Sequence, residues 1–416
     1  MTKKYITSTV SKIFILLFLL ATCSKVFSNV HKTESSVGEH TPMVIISDWH
    51  IGTTMWQVAV LKAIGIPVEA YSLSGHRRYA TGDPCFREEP LFTNLASLPE
   101  EQICQEFIRN PRLTQITHAL CSFPPAYINA LAKLPPQVNL LLNIGHRIHI
   151  CTGDLIDFTQ RIVAMSKDPR YVLATMSAYD FHYTRYYTGL EPLPLPVICQ
   201  HIPDRLRQAP YAPHNRTVLI GPSHNMNTII GFDNDLEHLN RLSADFAQRH
   251  GLAPYTFNFI KSVYPGDQAT MENLAKHPAV LMNPYSAFSI SMVELYQLNI
   301  PFFVPADPLL VHAMGDVRLH PLYQTQEAVA LLENKYPVSS SGYPYSPNDQ
   351  SADAQAYWLQ FMFFNQVKHA QHWTDPEDLF RKLYLNDLRQ LHDDMQAENT
   401  QLFSNQLMVW KNLLSK

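Results

Sequence analysis

The chain has 416 residues, with 32 basic and 36 acidic side chains and a pI near 6.5. Hydrophobic residues make up 46% and charged residues 16%, which supplies real cores and excludes a disordered or highly charged tail. The length fits two or three domains, no basic nucleic-acid footprint is present, and no apolar run is long enough for a multi-span membrane protein.

The amino terminus reads as a targeting segment. Lys3, Lys4 and Lys12 precede an apolar run from Ile13 to Ala21, and Val26-Phe27-Ser28 supplies a small residue at the exit. This is the pattern of a signal peptide over residues 1–28, with a retained signal anchor as the alternative. Without those residues the chain carries 28 basic and 36 acidic side chains, a surface that does not seek phosphate backbones or anionic lipid. A secreted, periplasmic or lumenal location follows, and membrane contact only if the segment is kept. Cys85, Cys104, Cys121, Cys151 and Cys199 remain, an odd count that leaves at least one thiol unpaired within the chain.

Short apolar runs then alternate with helical spacing. Strands are predicted at Met43–Ser47, Pro67–Leu73, Ile116–Cys121, Val138–Ile144 and Tyr171–Met176, and a helix at Thr54–Ile64 with Gly65 as its stop. Residues 202–214 are rich in proline and polar groups, and the alternation restarts after them. Strands are expected at Thr217–Ile220, Tyr255–Ile260, Ala279–Met282 and Pro301–Val304, and helices at Asp235–His250, Met271–Lys276 and Ile290–Leu298. Continuous apolar strands alternating with helices indicate parallel sheets covered on both faces. The fold class is therefore α/β, with two Rossmann-like domains facing a cleft and a helical tail. The boundaries expected are 29–205, a linker at 206–214, 215–352, and the tail at 353–416. In that tail Asp375-Pro376 is a good helix start, followed by an apolar face of Tyr384, Leu388, Leu391 and Met395.

Ligands of open parallel sheets bind beyond the carboxyl ends of the strands. The polar residues at those ends are His50, Ser122, His146 and Arg147 in the first half. In the second half they are Ser223, His224, Asn225, Lys261 and the segment from Ser286 to Glu294. The sharpest stretch is residues 281–305, where a strand enters a serine-bearing turn and a helix carrying Glu294 leads to Asn299-Ile300-Pro301. Ser286, Ser289, Ser291 and the first helix amides suit a diphosphate. Glu294 suits ribose hydroxyls; between Val293 and Leu295 it lies on a largely buried helix, where a carboxylate needs partners. The plain alternative is a capped helix whose Glu294 meets solvent.

This segment resembles the donor-binding region of GT-B-fold glycosyltransferases, in which a Ser/Glu-bearing helix precedes a Gly-x-Pro and the next strand. The chain departs from that pattern at Asn299, which stands for the Gly, and at Ser286, which stands for the earlier acid of the Glu pair. Gly52 alone remains of the first Gly-rich loop. The resemblance implies transfer of a sugar from a nucleotide-diphosphate donor to a hydroxyl on a glycan, lipid or protein acceptor, with no bound metal and no other cofactor. It implies His50 as the base, Arg147 and Lys261 as positive groups near the leaving diphosphate, and Ser223, His224, Ser286, Ser289, Ser291 and Glu294 as donor ligands. The competing readings are a secreted two-lobed receptor for a small ligand and an inactive GT-B relative.

Other motifs weigh less. Asp233-Asn234-Asp235 reads as a helix cap before it reads as a metal site. The aromatic runs Tyr179–Tyr187 and Tyr343–Tyr345 suit core packing or sugar stacking. Residues 339–349 read as a long loop placed to cover the cleft.

Overall fold

The computed structural model describes residues 43–72, 82–86, 115–221, 229, 231–232, 235–266, 268–284, 286–316 and 325–415. The expected signal segment, Cys104, Ser223, His224 and Asn225 lie outside the described residues.

The first lobe runs β1 (Val44–Asp48), α1 (Ile51–Ala63), β2 (Val68–Ser72), β3 (His118–Cys121), β4 (Asn139–Ile144), α2 (Leu155–Met165), β5 (Tyr171–Thr175), α3 (Ala178–Thr188) and β6 (Leu193–Pro194). Its strands form one sheet in the order β2-β1-β3-β4-β5-β6, and every pair is parallel. Val44 sits opposite Val68 on one side and His118 on the other. β1 is buried at every position, as a central strand covered by helices on both faces must be.

The second lobe opens with β7 (Thr217–Gly221), α4 (Leu236–Arg249), β8 (Thr256–Phe259), β9 (Val280–Met282), α5 (Ile290–Gln297) and β10 (Phe302–Pro305). Helices α6 (Asp307–Asp316), α7 (Gln326–Lys335) and α8 (Ala352–Leu359) follow, then β11 (Gln371–Trp373), α9 (Pro376–Leu385) and α10 (Leu388–Leu414). The sheet order is β11-β10-β9-β7-β8, again all parallel. The observed class is thus α/β with two parallel Rossmann-like sheets and a helical carboxyl-terminal region.

Strand alternation divides the second sheet between two cores. Val218, Ile220, Leu281 and Phe303 pack outward with α4 and α9. Leu219, Val280, Met282, Phe302 and Val304 join a core that continues into the first lobe. Helix α10 closes that shared core: Trp410 meets Trp56 of α1 edge-on at 5.7 Å.

Several local expectations change. Helix α1 starts before Thr54, because the His50 side chain caps it and the Thr53 and Thr54 hydroxyls donate to the His50 carbonyl at 2.8 and 3.1 Å. The expected face from Tyr384 to Met395 is split between two helices, since Asp387 opens α10 by accepting from Arg389 N and Gln390 N. Strand β11 lies inside what the sequence reads as helical tail. Asp235 and Asp375 do cap α4 and α9, and Pro376 opens α9. Residues 343–348 are docked on α3. Tyr343 receives a hydrogen bond partner in His182 Nδ1 at 2.8 Å and stacks on Trp358, while Asn348 donates to the Tyr187 hydroxyl. The tyrosines of α3 are core: Tyr179 and Tyr183 are stacked and buried. Among the described cysteines, Cys85, Cys121, Cys151 and Cys199 are all free thiols.

Candidate functional site

Both sheets have the doubly wound order in which the first strand lies between the second and third. The chain reverses direction of growth between β1 and β3 in one lobe and between β7 and β9 in the other. Loops diverge at such a switch point, and ligands of open α/β sheets bind there, beyond the carboxyl ends of the strands.

The first-lobe switch point is built on Asp48, the last residue of β1. Its Oδ1 accepts from Phe123 N at 2.9 Å, and Trp49 N donates to the Phe123 carbonyl at 2.6 Å. These bonds lock the turn after β1 to the Ser122-Phe123-Pro124 turn after β3. Asp48 is fully buried, and Oδ2 has no hydrogen-bond partner among the described residues. Burial drives its pKa up to about 7, opposed by the amide of Phe123 and the nearby polar groups of Thr53, Ser122 and His50. Ser122 accepts from Gln57 Nε2 at 2.6 Å, tying α1 to the same turn.

His50 is exposed, and its Nδ1 accepts from Gly52 N at 3.0 Å. A neutral ring in that state carries its proton on Nε2. Gly52 has no side chain for a reason: a Cβ there would stand 3.0 Å from His50 Cε1 and Nδ1 and 3.7 Å from Ile290 Cγ1 of the second lobe. His146, after β4, lies edge-on to Phe123 at 5.5 Å and to Phe288 of the second lobe at 6.4 Å. It keeps some exposed surface but is densely surrounded. Burial first, then the charges of His50 and Arg147, drops its pKa to about 4. Arg147 is buried beside α3, where its charge is felt by Asp180, Tyr179 and Tyr183. Asp154, the acid nearest Arg147 in sequence, is engaged as the cap of α2.

In the second lobe Asn283, just past β9, donates its amide to the Gly221 carbonyl at 3.1 Å and closes the β7/β9 switch point. Ser286 Oγ donates to the Phe288 carbonyl at 2.8 Å. Ser289 is extended and caps α5, its Oγ accepting from Met292 N at 3.3 Å with Ser291 Oγ 3.2 Å away. Glu294 is partly buried, and its Oε1 accepts from His201 Nε2 at 2.8 Å. One turn on, Gln297 accepts from Cys199 N at 2.6 Å and donates to the Val197 carbonyl at 2.9 Å. That face of α5 therefore sits on the segment by which the chain leaves the first lobe. Lys261 is exposed on the single helical turn Ile260–Val263 after β8, where the sequence places a strand end.

Asn299 has φ +60, a left-handed conformation that asparagine tolerates better than most residues. Its side chain donates to the Arg207 carbonyl at 2.8 Å and accepts from Asn399 at 2.7 Å. The end of α5 thus turns through a left-handed residue that is not glycine and is held by side-chain bonds instead.

The structure brings Gly52, beside His50, to Ile290 and His146 to Phe288 across the lobes, and sets Glu294 against His201 of the departing segment. Arg147 is buried near His146 and α3. Sequence reasoning passed over Asp48, Phe288 and His201. An acid ending an apolar strand was a readable signal for Asp48; nothing in the sequence links residue 201 to residue 294.

No family model matches the chain, and no curated protein matches it in sequence. Among solved structures it is similar to Arabidopsis thaliana UGT89C1 complexed with UDP-L-rhamnose. That match has 11% identity and a TM-score of 0.46 and covers 87% of this chain and 95% of the other. It is also similar to the same plant protein complexed with UDP, at 11% identity and a TM-score of 0.45, covering 89% and 98%.

Proposed function

We propose that this protein is a glycosyltransferase that binds a nucleotide-diphosphate sugar between its lobes and passes the sugar to a hydroxyl acceptor. The observation that carries this reading is the apposition of two helix amino termini. The start of α1 meets the start of α5 across the lobes, through Gly52 and Ile290. Neither helix has an acidic residue in its first turn, a feature they share with α10, whereas α2, α3, α4, α7, α8 and α9 each do. Two positive helix ends repel unless an anion lies between them, and a diphosphate supplies one.

In this reading Ser286, Ser289, Ser291 and the α5 amides take the diphosphate, and Lys261 lies toward its outer side. Ser223 and His224 complete the donor set. Arg147 adds positive potential from near His146. Glu294 accepts from the ribose with the oxygen not engaged by His201. His50 works as the base only after its ring turns out of the cap, because the capped neutral ring has its proton on Nε2. That turn frees Gly52 N–H to face the anion. The acceptor, a glycan, lipid or protein hydroxyl, enters from the first lobe. The predicted route through a secretory compartment fits an extracytoplasmic acceptor.

A thermal-shift panel tests this directly. UDP, GDP, ADP and their sugar conjugates are each added at a large excess. A ligand at a hundred times its Kd stabilises by about 2.7 kcal/mol and raises Tm by several degrees. A rise with at least one nucleoside diphosphate is expected. A rise with free sugars or amino acids alone would replace the transferase with a two-lobed receptor.

A further inference from the structure

We infer that His201 is a positioning residue for nucleotide recognition: it holds Glu294 in the orientation that reads the ribose of the donor. This rests on the proposed nucleotide-sugar site and adds a residue outside both sheets to it. His201 follows β6, in the segment that leaves the first lobe. Its Nε2 is 2.8 Å from Glu294 Oε1, and a carboxylate only accepts, so the ring is the donor. His201 Nδ1 is buried with no partner among the described residues, so the bond to Glu294 is the ring's polar contact there. The side chains are 16% and 23% exposed, which leaves Glu294 open to a ligand but not free to swing.

The surroundings fix the geometry from three sides. Gln297, one turn beyond Glu294, binds the main chain at Val197 and Cys199 and sets the rotation of α5 against the departing segment. Ser289 fixes the start of the helix, and Asn299 fixes its end through Arg207 and Asn399. Glu294 is the residue of that face whose long side chain His201 holds. A glutamate with three free torsions loses side-chain entropy when it binds a diol; one already held by a charge-assisted bond loses less. Cys199, buried near the pair, adds no competing negative charge: burial and the nearby Glu294 charge push its thiol pKa up.

The test compares binding of UDP, GDP and ADP with binding of their 2′,3′-dideoxy forms by titration calorimetry. The proteins are the intact wild type, His201→Ala, His201→Phe and His201→Gln. Phe keeps the buried ring volume without a donor, and Gln restores a donor at similar reach. Wild type is expected to prefer the ribonucleotide. Ala and Phe should cut that preference about tenfold, in keeping with loss of one hydrogen bond to a charged group, and Gln should recover most of it. Affinity for the dideoxy forms should stay near the wild-type value in all variants. A role in folding alone would weaken both nucleotide forms alike and leave the ratio unchanged, and that result overturns the inference while the site stands. Absence of nucleotide binding by wild type would overturn both.

Discussion

At the scale of single residues, the crevice floor holds charge in an expensive place. Asp48 is fully buried with one oxygen unpartnered, and its pKa lies near 7 rather than 3.8. The folded state therefore binds a proton that the unfolded state has released between about pH 4 and pH 7. Stability from this group is full below the unfolded pKa and is lost as pH rises through the folded one. Asp48→Asn should remove that loss. The variant should gain on wild type as pH rises from 5 to about 7 and then level off, by up to about 3 kcal/mol at roughly 1.4 kcal/mol per pKa unit. Urea unfolding of both proteins at the two pH values measures this. Asp180, whose pKa is also raised to about 7, is present in both proteins and cancels in the difference. A constant offset between the curves would mean that Asp48 does not titrate in this range. Retaining so costly a carboxylate is understandable if the turn it locks, with His50 and Phe123, has to be rigid.

At the scale of elements, α5 is the part on which most depends. Its start faces the other lobe, its exposed face carries Glu294, and its end turns through Asn299 at φ +60. Asn299→Ala forces a methyl-bearing residue into the left-handed region and deletes the bonds to Arg207 and Asn399. It should destabilise by at least about 2 kcal/mol. Asn299→Gly loses the bonds but not the conformation and should cost about 1 kcal/mol less; thermal or urea unfolding of the pair separates the two terms. The strands and helices around α5 were legible in the sequence because buried parallel strands read as short apolar runs of β-branched residues bounded by turns. β9, α5 and β10 fall within a residue or so of where that pattern puts them. Strand β11 was not legible: Gln371-His372-Trp373 is three residues long and lies at the sheet edge, with only one side chain buried. The early start of α1 was hidden because its cap is a histidine, a residue not read as a cap signal.

At the scale of the whole molecule, the two lobes are joined by more than the linker. The core runs from the first lobe through α5 and β10 to α10, and Trp410 inserts against Trp56. The 343–348 stretch, from the second half of the chain, is docked on α3 of the first lobe. The fold class was readable from periodicity, but these returns of the chain were not, since pairs such as Tyr187 with Asn348 and His201 with Glu294 have no local pattern. For the same reason the site residues could be placed at strand ends but not assigned neighbours. An open cavity of about 490 Å³ lies elsewhere, lined by Tyr211, Tyr255, Tyr384 and Arg389. The decisive measurement is a crystal structure of the protein grown with saturating UDP or GDP. The diphosphate is predicted between the amino termini of α1 and α5, within hydrogen-bond distance of Ser289 or the α5 amides, with the ribose at Glu294. A diphosphate bound in the cavity beside Tyr384 instead, or a crevice that stays empty at saturation, would contradict the account.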